Sequence, residues 1–427
     1  MKALVNARIY DYESYIDNGY VKFDKQIIEV GSMDDFNGAE EVIDCYGCII
    51  MPGLANCHTH IYSTFARGMN IPFNPKNFTE ILEQLWWKLD KQLDERAIYS
   101  SAIAYGIDCL SNGVTSIIDH HASGLCIEGS LEALNDAISK RLGMRGIYCF
   151  ETSDRFPLEK CLNENISFAA NHSEHTGSMF GLHASMSLSQ ESLKKVSDVL
   201  EDYPIHIHVA ESMDDVQDCY KKYNKGIVER LDRCGLLNKN SILAHCVHIN
   251  EREAALIADR GCFVALNPTS NMNNAVGLSD FELFRRHKIK CLSGNDGLGA
   301  NITRDYLNLL FSMKNRLGSP CKFSIDDLVQ VIKNGYEFIS SRLNIKLGRI
   351  EAGYKADFVV IPYYPPTPIS KDNILGHVIF GIFDGFKPKQ VWISGKQLIK
   401  DYEPTFEIED TLEEVRAEAT KVWNRLV

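Results

Sequence analysis

A chain of 427 residues, 45 % hydrophobic and 24 % charged, can bury one large core or two unequal ones, which excludes a short binding module or a disordered tail. With 45 Lys+Arg against 57 Asp+Glu the formal charge is −12, and no basic run is interleaved with aromatics, so nucleic acid is not an expected partner. The first residues are too polar for a secretory stretch and no apolar run is long enough to cross a bilayer, so a soluble, cytoplasmic protein without a membrane partner is expected.

Residues 1–52 alternate short apolar or β-branched runs, at 4–9, 20–23, 27–30 and 42–50, with turn residues, which predicts a small all-β unit. The 13 cysteines are an odd count lying mostly inside apolar runs, which suits reduced, buried thiols. Cys45 and Cys48 form one Cys-x-x-Cys without a second pair. Structural zinc takes four ligands, so these two are expected to pack on a strand.

Eight brief apolar runs follow, at 48–54, 115–118, 145–150, 179–182, 205–209, 242–244, 262–266 and 289–292, with helical stretches between them. One helix is expected over 192–200, where Leu193, Val196, Val199 and Leu200 share a face; another follows the Asn250/Glu253 capping box and closes at Gly261. Eight β-then-α units predict a (β/α)8 barrel over 53–348, although an open doubly wound sheet has the same periodicity. The β texture then returns at 358–361 and 390–395. Residues 1–52 and 349–404 are therefore expected to pair as one discontinuous β-sandwich domain, with a loop at Pro365, Pro366 and Pro368, and 405–427 to form a C-terminal amphipathic helix.

Nearly every predicted barrel strand ends in a polar residue: His58 and His60, then His120 and His121, Glu151, His183, His206 and His208, His245 and His248, Asn267, and Asn295 with Asp296. In a barrel these ends converge on one mouth. His58 and His60 are two apart, so on an extended backbone both face one way and can share an ion. Alone, the pair reads better as two hydrogen-bonded barrel histidines. A third imidazole at His208 and a carboxylate at Asp296 complete a site for one divalent metal, zinc with iron or manganese as alternatives, and leave a position open for water. His206 shares the face of His208 and is expected deeper, as a packing residue. His121, with His120, either touches substrate or bonds the adjoining loop; His248 is expected to support the loop after His245. His172, His175, His287 and His377 fall away from strand ends and are given no role.

A divalent ion lowers the pKa of a bound water to about 7. Asp296 could hold the ion and accept the departing proton; its alternative is a plain helix N-cap. Glu211, three residues after His208, could protonate the nitrogen of a C=N substrate, or else pair with a cation on the following helix. His245 could orient the attacking oxygen or stabilise developing charge. His183 and Glu151 could hold the substrate's polar edge. Competing motifs are poor: Ile302 replaces the third glycine of a dinucleotide fingerprint after Gly297-Leu-Gly299, and there is no phosphate-binding Gly-Lys-Ser/Thr loop and no Gly-x-Ser-x-Gly elbow.

Met51-Pro-Gly-Leu-Ala-Asn-Cys-His58-Thr-His60, His208-Val-Ala-Glu211, Leu243-Ala-His245-Cys-Val-His248, Ser293-Gly-Asn-Asp296-Gly and the Gly-x-Ile-x-x-Gly-x-x-Ala-Asp pattern from Gly348 resemble the amidohydrolase superfamily, in its chlorohydrolase and deaminase (ATZ/TRZ-like) branch. Residues 78–93 with Trp86-Trp87, Asp119-His-His-Ala-Ser123 and Gly181-Leu-His183-Ala-Ser look most like SsnA-type aminohydrolases. The resemblance implies one metal at His58, His60, His208 and Asp296, Glu211 and His245 as catalytic partners, His183 near the substrate, and a homo-oligomer, a dimer. Two departures bear on substrate identity: Leu266 precedes Asn267-Pro268 where many relatives carry His, and Asn295 stands where Thr is frequent. No lysine closes the fourth strand, which favours one metal over two. The expected function is an aminohydrolase attacking a C–N bond of a small cyclic nitrogenous compound, a deaminase releasing ammonia. Cyclic-amide opening, dechlorination at the same site and a catalytically silent scaffold are the alternatives.

Overall fold

The computed structural model describes residues 1–426; Val427, the last residue of the expected C-terminal helix, lies outside them. Eight parallel strands surround the interior in two arcs. The first arc runs Leu54–Thr59, Val114–His121, Arg145–Phe150 and Thr176–Ser178; the second runs Phe180–Ala184, Ile205–Val209, Ile242–His245, Phe263–Leu266 and Cys291–Ser293. Thr176–Ser178 and Phe180–Ala184 are one strand of the barrel, broken at Met179. Bridges at Thr152–Leu182 and Thr59–Asp296 join the arcs, so the ring closes as a (β/α)8 barrel.

The terminal segments form one further nine-stranded sheet. Lys2–Tyr10 pairs with Tyr15–Phe23, with Glu41–Asp44 and with Ile49–Pro52; the last of these also pairs antiparallel with Phe358–Ile361, which continues the sheet into Gln390–Ile393 and Lys396–Lys400. Phe23, Phe358 and Trp392 pack edge to face at its centre. Cys45 and Cys48 are buried there too, but they flank the Tyr46-Gly47 turn instead of lying in a strand, and all 13 cysteines are free.

The apolar run at 48–54 divides between the two layers, correcting the expectation of a single barrel strand. Ile49–Pro52 belongs to the terminal sheet, and the barrel strand begins at Leu54. Gly53 makes the crossing: a Cβ there would stand 2.3 Å from the Thr115 side chain. Farther on, the helix expected at 192–200 is Gln190–Leu200, capped by Ser189, and the Asn250/Glu253 capping box opens Glu251–Arg260, closed by Gly261 in the left-handed region. The helix Glu409–Asn424 leads into two contacts on the barrel: Trp423 Nε1 donates to the Phe65 carbonyl (2.7 Å) and Arg425 Nη1 to that of Gln92 (2.6 Å). No helix among the described residues is long and apolar enough to cross a membrane.

Arg145, fully buried at the start of the third barrel strand, fastens the barrel to the terminal sheet. Its Nε and Nη2 meet the two Asp357 oxygens at 2.6 and 2.9 Å, and Nη2 also donates to Ser394 Oγ. Removing one partner strands a buried charge, so Asp357→Ala is expected to cost about 3–5 kcal/mol in denaturant unfolding. The paired replacement Arg145→Met with Asp357→Leu is expected to cost much less, because no charge is then left without a partner.

Candidate active site

The closure of the ring builds the site. The amide of Asp296 donates to the His58 carbonyl (3.1 Å), and the amide of His60 to the Asp296 carbonyl (3.3 Å), so the first and last strands fix three polar side chains against one another. Gly294 permits this approach, since a Cβ there would lie 2.6 Å from both the His58 carbonyl and Asn267 Oδ1. Asp296 and His245 leave their strands in the left-handed region, at φ 56° and 71°. Such backbone is strained for residues other than glycine and persists only where its surroundings hold it.

Four imidazoles are oriented by a second bond each. His60 Nδ1 donates to the His120 carbonyl (2.7 Å), His208 Nδ1 to the His183 carbonyl (2.9 Å) and His245 Nδ1 to Asn271 Oδ1 (2.7 Å), while His58 Nδ1 meets His206 Nε2 (2.9 Å). A carbonyl can only accept, so Nδ1 carries the hydrogen in His60 and His208, and each Nε2 presents a lone pair in the neutral ring. Those two lone pairs face one another at 3.1 Å. Asp296 Oδ1 is 2.9 Å from His60 Nε2 and 3.3 Å from His58 Nε2. A proton or a metal ion satisfies these atoms.

The spacing fits a metal ion, because ligand bonds of about 2.0–2.2 Å in four- or five-coordinate geometry hold neighbouring donors roughly 3 Å apart. His58 Nε2 and His245 Nε2 are buried with no hydrogen-bond partner. His58, His208, His245 and Asp296 also offer one donor atom each within 4.8 Å of one another, so His245 stands close enough to be a further donor, a role the sequence reading did not give it.

The charges agree. Burial pushes the His58 imidazole down to about 3 despite Asp296, and burial together with its histidine neighbours holds His208 well below the usual range, so both are neutral. At His60 burial opposes charge, but Asp296, Glu151 and Asp119 outweigh it and raise the imidazole to about 10. Burial also works against the Asp296 carboxylate, yet the His58 and His60 imidazoles hold it well below the ordinary range. A positive charge belongs here, carried by a proton or displaced by a metal.

A cavity opens on this floor, lined on its polar side by His60, His208, Asp296, Glu211, Glu151 and His183 and elsewhere by Phe78, Leu82, Trp86, Trp87, Met186 and Leu298. Burial and the nearby Asp296 charge raise the Glu211 carboxyl to about 7, against the pull of His245, whose Nε2 lies 3.5 Å from Glu211 Oε2. Glu151, 2 % exposed, has His120 Nδ1 at 3.2 Å, His60 Nδ1 at 3.3 Å and His183 Nε2 at 3.9 Å.

His121 is not brought to the cavity. Side chains alternate along a strand, so His120 faces the floor and His121 the opposite side, where Nε2 meets Ser123 Oγ at 3.1 Å. His206 lies beneath His58 and stacks on His120 at 4.5 Å; His248 Nε2 donates to the Val276 carbonyl. Sequence reasoning passed over Ser270, Asn271 and Asn274 of the stretch after Asn267. Ser270 Oγ donates to Asp296 Oδ2 (2.5 Å) and Asn274 Nδ2 to Glu211 Oε1 (3.4 Å). It also passed over Asp90, which lines the cavity in an ion pair with Arg155 (2.6 Å). The Asn-Pro that starts the helix Pro268–Asn273 was the available signal for the first group; nothing local marked the second.

Fold and site define a barrel hydrolase with a buried His/Asp centre able to take one divalent cation. The chain belongs to the amidohydrolase family, whose pattern matches residues 49–398. A 5'-deoxyadenosine deaminase of Methanococcus vannielii is 29 % identical over 378 residues, covering 84 % of this chain and 85 % of that protein. The 5-methylthioadenosine/S-adenosylhomocysteine deaminase 2 of Archaeoglobus fulgidus is 31 % identical over 335 residues, covering 74 % and 75 %. In structure, an adenosine deaminase from Xanthomonas campestris with bound zinc superposes with a TM-score of 0.86 at 19 % identity, covering 100 % of this chain and 99 % of the other, a likeness of fold. Both sequence relatives are hydrolases of carbon–nitrogen bonds other than peptide bonds, the class expected from the sequence.

Proposed function

We propose that the protein deaminates a 6-aminopurine nucleoside or a close cyclic-amidine analogue, with zinc held by His58, His60, His208 and Asp296. One observation carries this reading: lone pairs and a carboxylate converge on a single point, beside Glu211, whose carboxyl is raised to about 7, in a cavity lined by Trp86 and Trp87. The names of the sequence relatives support the nucleoside class. Indoles beside a polar floor suit a planar heterocycle with a polar edge.

When bound, a divalent ion supplies Lewis acidity that brings the pKa of a water near 7. Asp296 takes the proton the attacking water sheds, its Oδ2 held in place by Ser270 Oγ. His245, with Nδ1–H committed to Asn271, presents Nε2 as an acceptor that orients this water. Glu211 delivers its proton to the ring nitrogen beside the attacked carbon, where negative charge develops; the bond to the exocyclic amine then breaks as the proton held by Asp296 passes to that nitrogen and ammonia leaves, and the second proton of the water returns to Glu211 as the C=O forms. His183 and Glu151 hold the polar edge of the substrate, and the aromatic lining excludes bulk water.

The test follows zinc-loaded protein by ammonia release from adenosine, 5'-deoxyadenosine and 5'-methylthioadenosine, against ammonia release from guanine and cytosine, ring opening of a hydantoin and chloride release from a chlorotriazine. Release from the adenosine set alone supports the proposal, and turnover confined to the hydantoin or the chlorotriazine overturns it. Asn271→Ala is expected to lower kcat about 10- to 100-fold while zinc content stays the same, because the partner that sets the His245 ring is lost; parallel rate and metal measurements check this.

A further inference from the structure

The cavity does not end at the indoles. A second, wider compartment of about 860 Å³ adjoins it, and Ser63, Trp86, Asn274, Gly297 and Leu298 line both. Gly297 lies where the two meet: a Cβ on it would stand 3.3 Å from Trp86 Cη2 and 3.4 Å from Ser63 Cβ. Glycine at 297 lets the indole rest close against the backbone at this boundary.

The outer compartment reverses the sign of the protein. The chain carries −12, yet this lining holds Arg67, Lys76 and Arg304 against the single carboxylate of Asp108. Arg67 is paired with Asp108 at 2.7 Å, which leaves Lys76 and Arg304 as the cations in excess. Arg304 is anchored at the boundary itself, where Nη2 donates to the Leu298 carbonyl (2.6 Å) and the rest of the guanidinium remains free to bind. Cations in a concave surface concentrate anions, and a guanidinium and an ammonium lining one compartment suit a phosphate or carboxylate group.

We propose that this compartment receives an anionic arm of the substrate. The heterocyclic head enters the inner cavity, and a phosphate or carboxylate on its far side passes between Trp86 and Leu298 to lie against Lys76 and Arg304. The identity of the head rests on the deaminase reading above; the arm rests on the outer compartment alone.

The experiment compares adenosine, adenosine 5'-monophosphate and adenosine 5'-carboxylic acid on the zinc-loaded wild type and on Lys76→Ala/Arg304→Ala, at low and high salt. At low salt the wild type is expected to favour at least one anionic probe over adenosine by about tenfold or more in kcat/KM, through KM; high salt narrows the gap because these cations are exposed to solvent. The double variant is expected to lose that advantage and to treat adenosine as the wild type does. Which probe gains tells a phosphate arm from a carboxylate arm. Equal kcat/KM for all three probes on the wild type overturns the proposal, as does a double variant that lowers all three alike. If no probe is deaminated, the head assignment has failed and calorimetric binding decides the arm. Salt-sensitive binding of the monophosphate that the double variant loses supports it, and equal binding of adenosine and its monophosphate overturns it.

Discussion

Glu211→Gln is expected to leave a folded, metal-loaded protein whose kcat has fallen by about two to four orders of magnitude, the usual share of a positioned general acid. The amide fills the same space and can still meet Asn274, so neither fold nor metal content changes. What is lost is the proton. The carboxyl, raised to about 7 by burial and by the Asp296 charge, is protonated below that value and charged above it. The wild-type kcat is therefore expected to fall as pH rises past about 7, and the residual rate of the variant to lack that limb. Metal analysis beside a pH–rate profile checks both. Equal loss of metal and rate would make Glu211 a support of the site and not its acid.

Asp296→Asn is expected to be more severe, with turnover reduced at least about a thousandfold, because one substitution removes a metal ligand and the acceptor of the water's proton. The backbone bonds of residue 296 to His58 and His60 do not involve the carboxylate, so the barrel still closes and the melting temperature stays near that of the wild type. The metal should bind more weakly, since the negative charge facing His58 and His60 is gone. Retained turnover with full metal content would refute both roles.

The donors were legible in the sequence because their chemistry is local: two imidazoles two residues apart on a strand, and polar residues closing apolar runs such as 145–150 and 205–209. The division of the run 48–54 between two sheets was not, although the domain limit was expected between 52 and 53, because Ile49–Pro52 and Leu54–Thr59 read as one apolar stretch and hydropathy does not record a change of sheet. The choice between His120 and His121 turns on strand register, and a shift of one residue exchanges the two faces. Ser270, Asn271 and Asn274 act through the direction in which a short helix leaves the seventh barrel strand; Asn267-Pro268 marks where that helix begins but not where its polar side chains are aimed. Trp86 and Trp87 stood out as residues, but that they line the cavity follows only from how 61–93 folds back over the barrel mouth.

The contacts of Trp423 and Arg425 with the Phe65 and Gln92 carbonyls bracket that excursion from both sides, across separations of 358 and 333 positions in the chain. During translation this segment is made early and its fastening late. A ribosome-bound nascent chain halted before residue 423 should carry every metal donor yet keep an unsealed chamber, so that catalytic competence appears only as the last helix emerges.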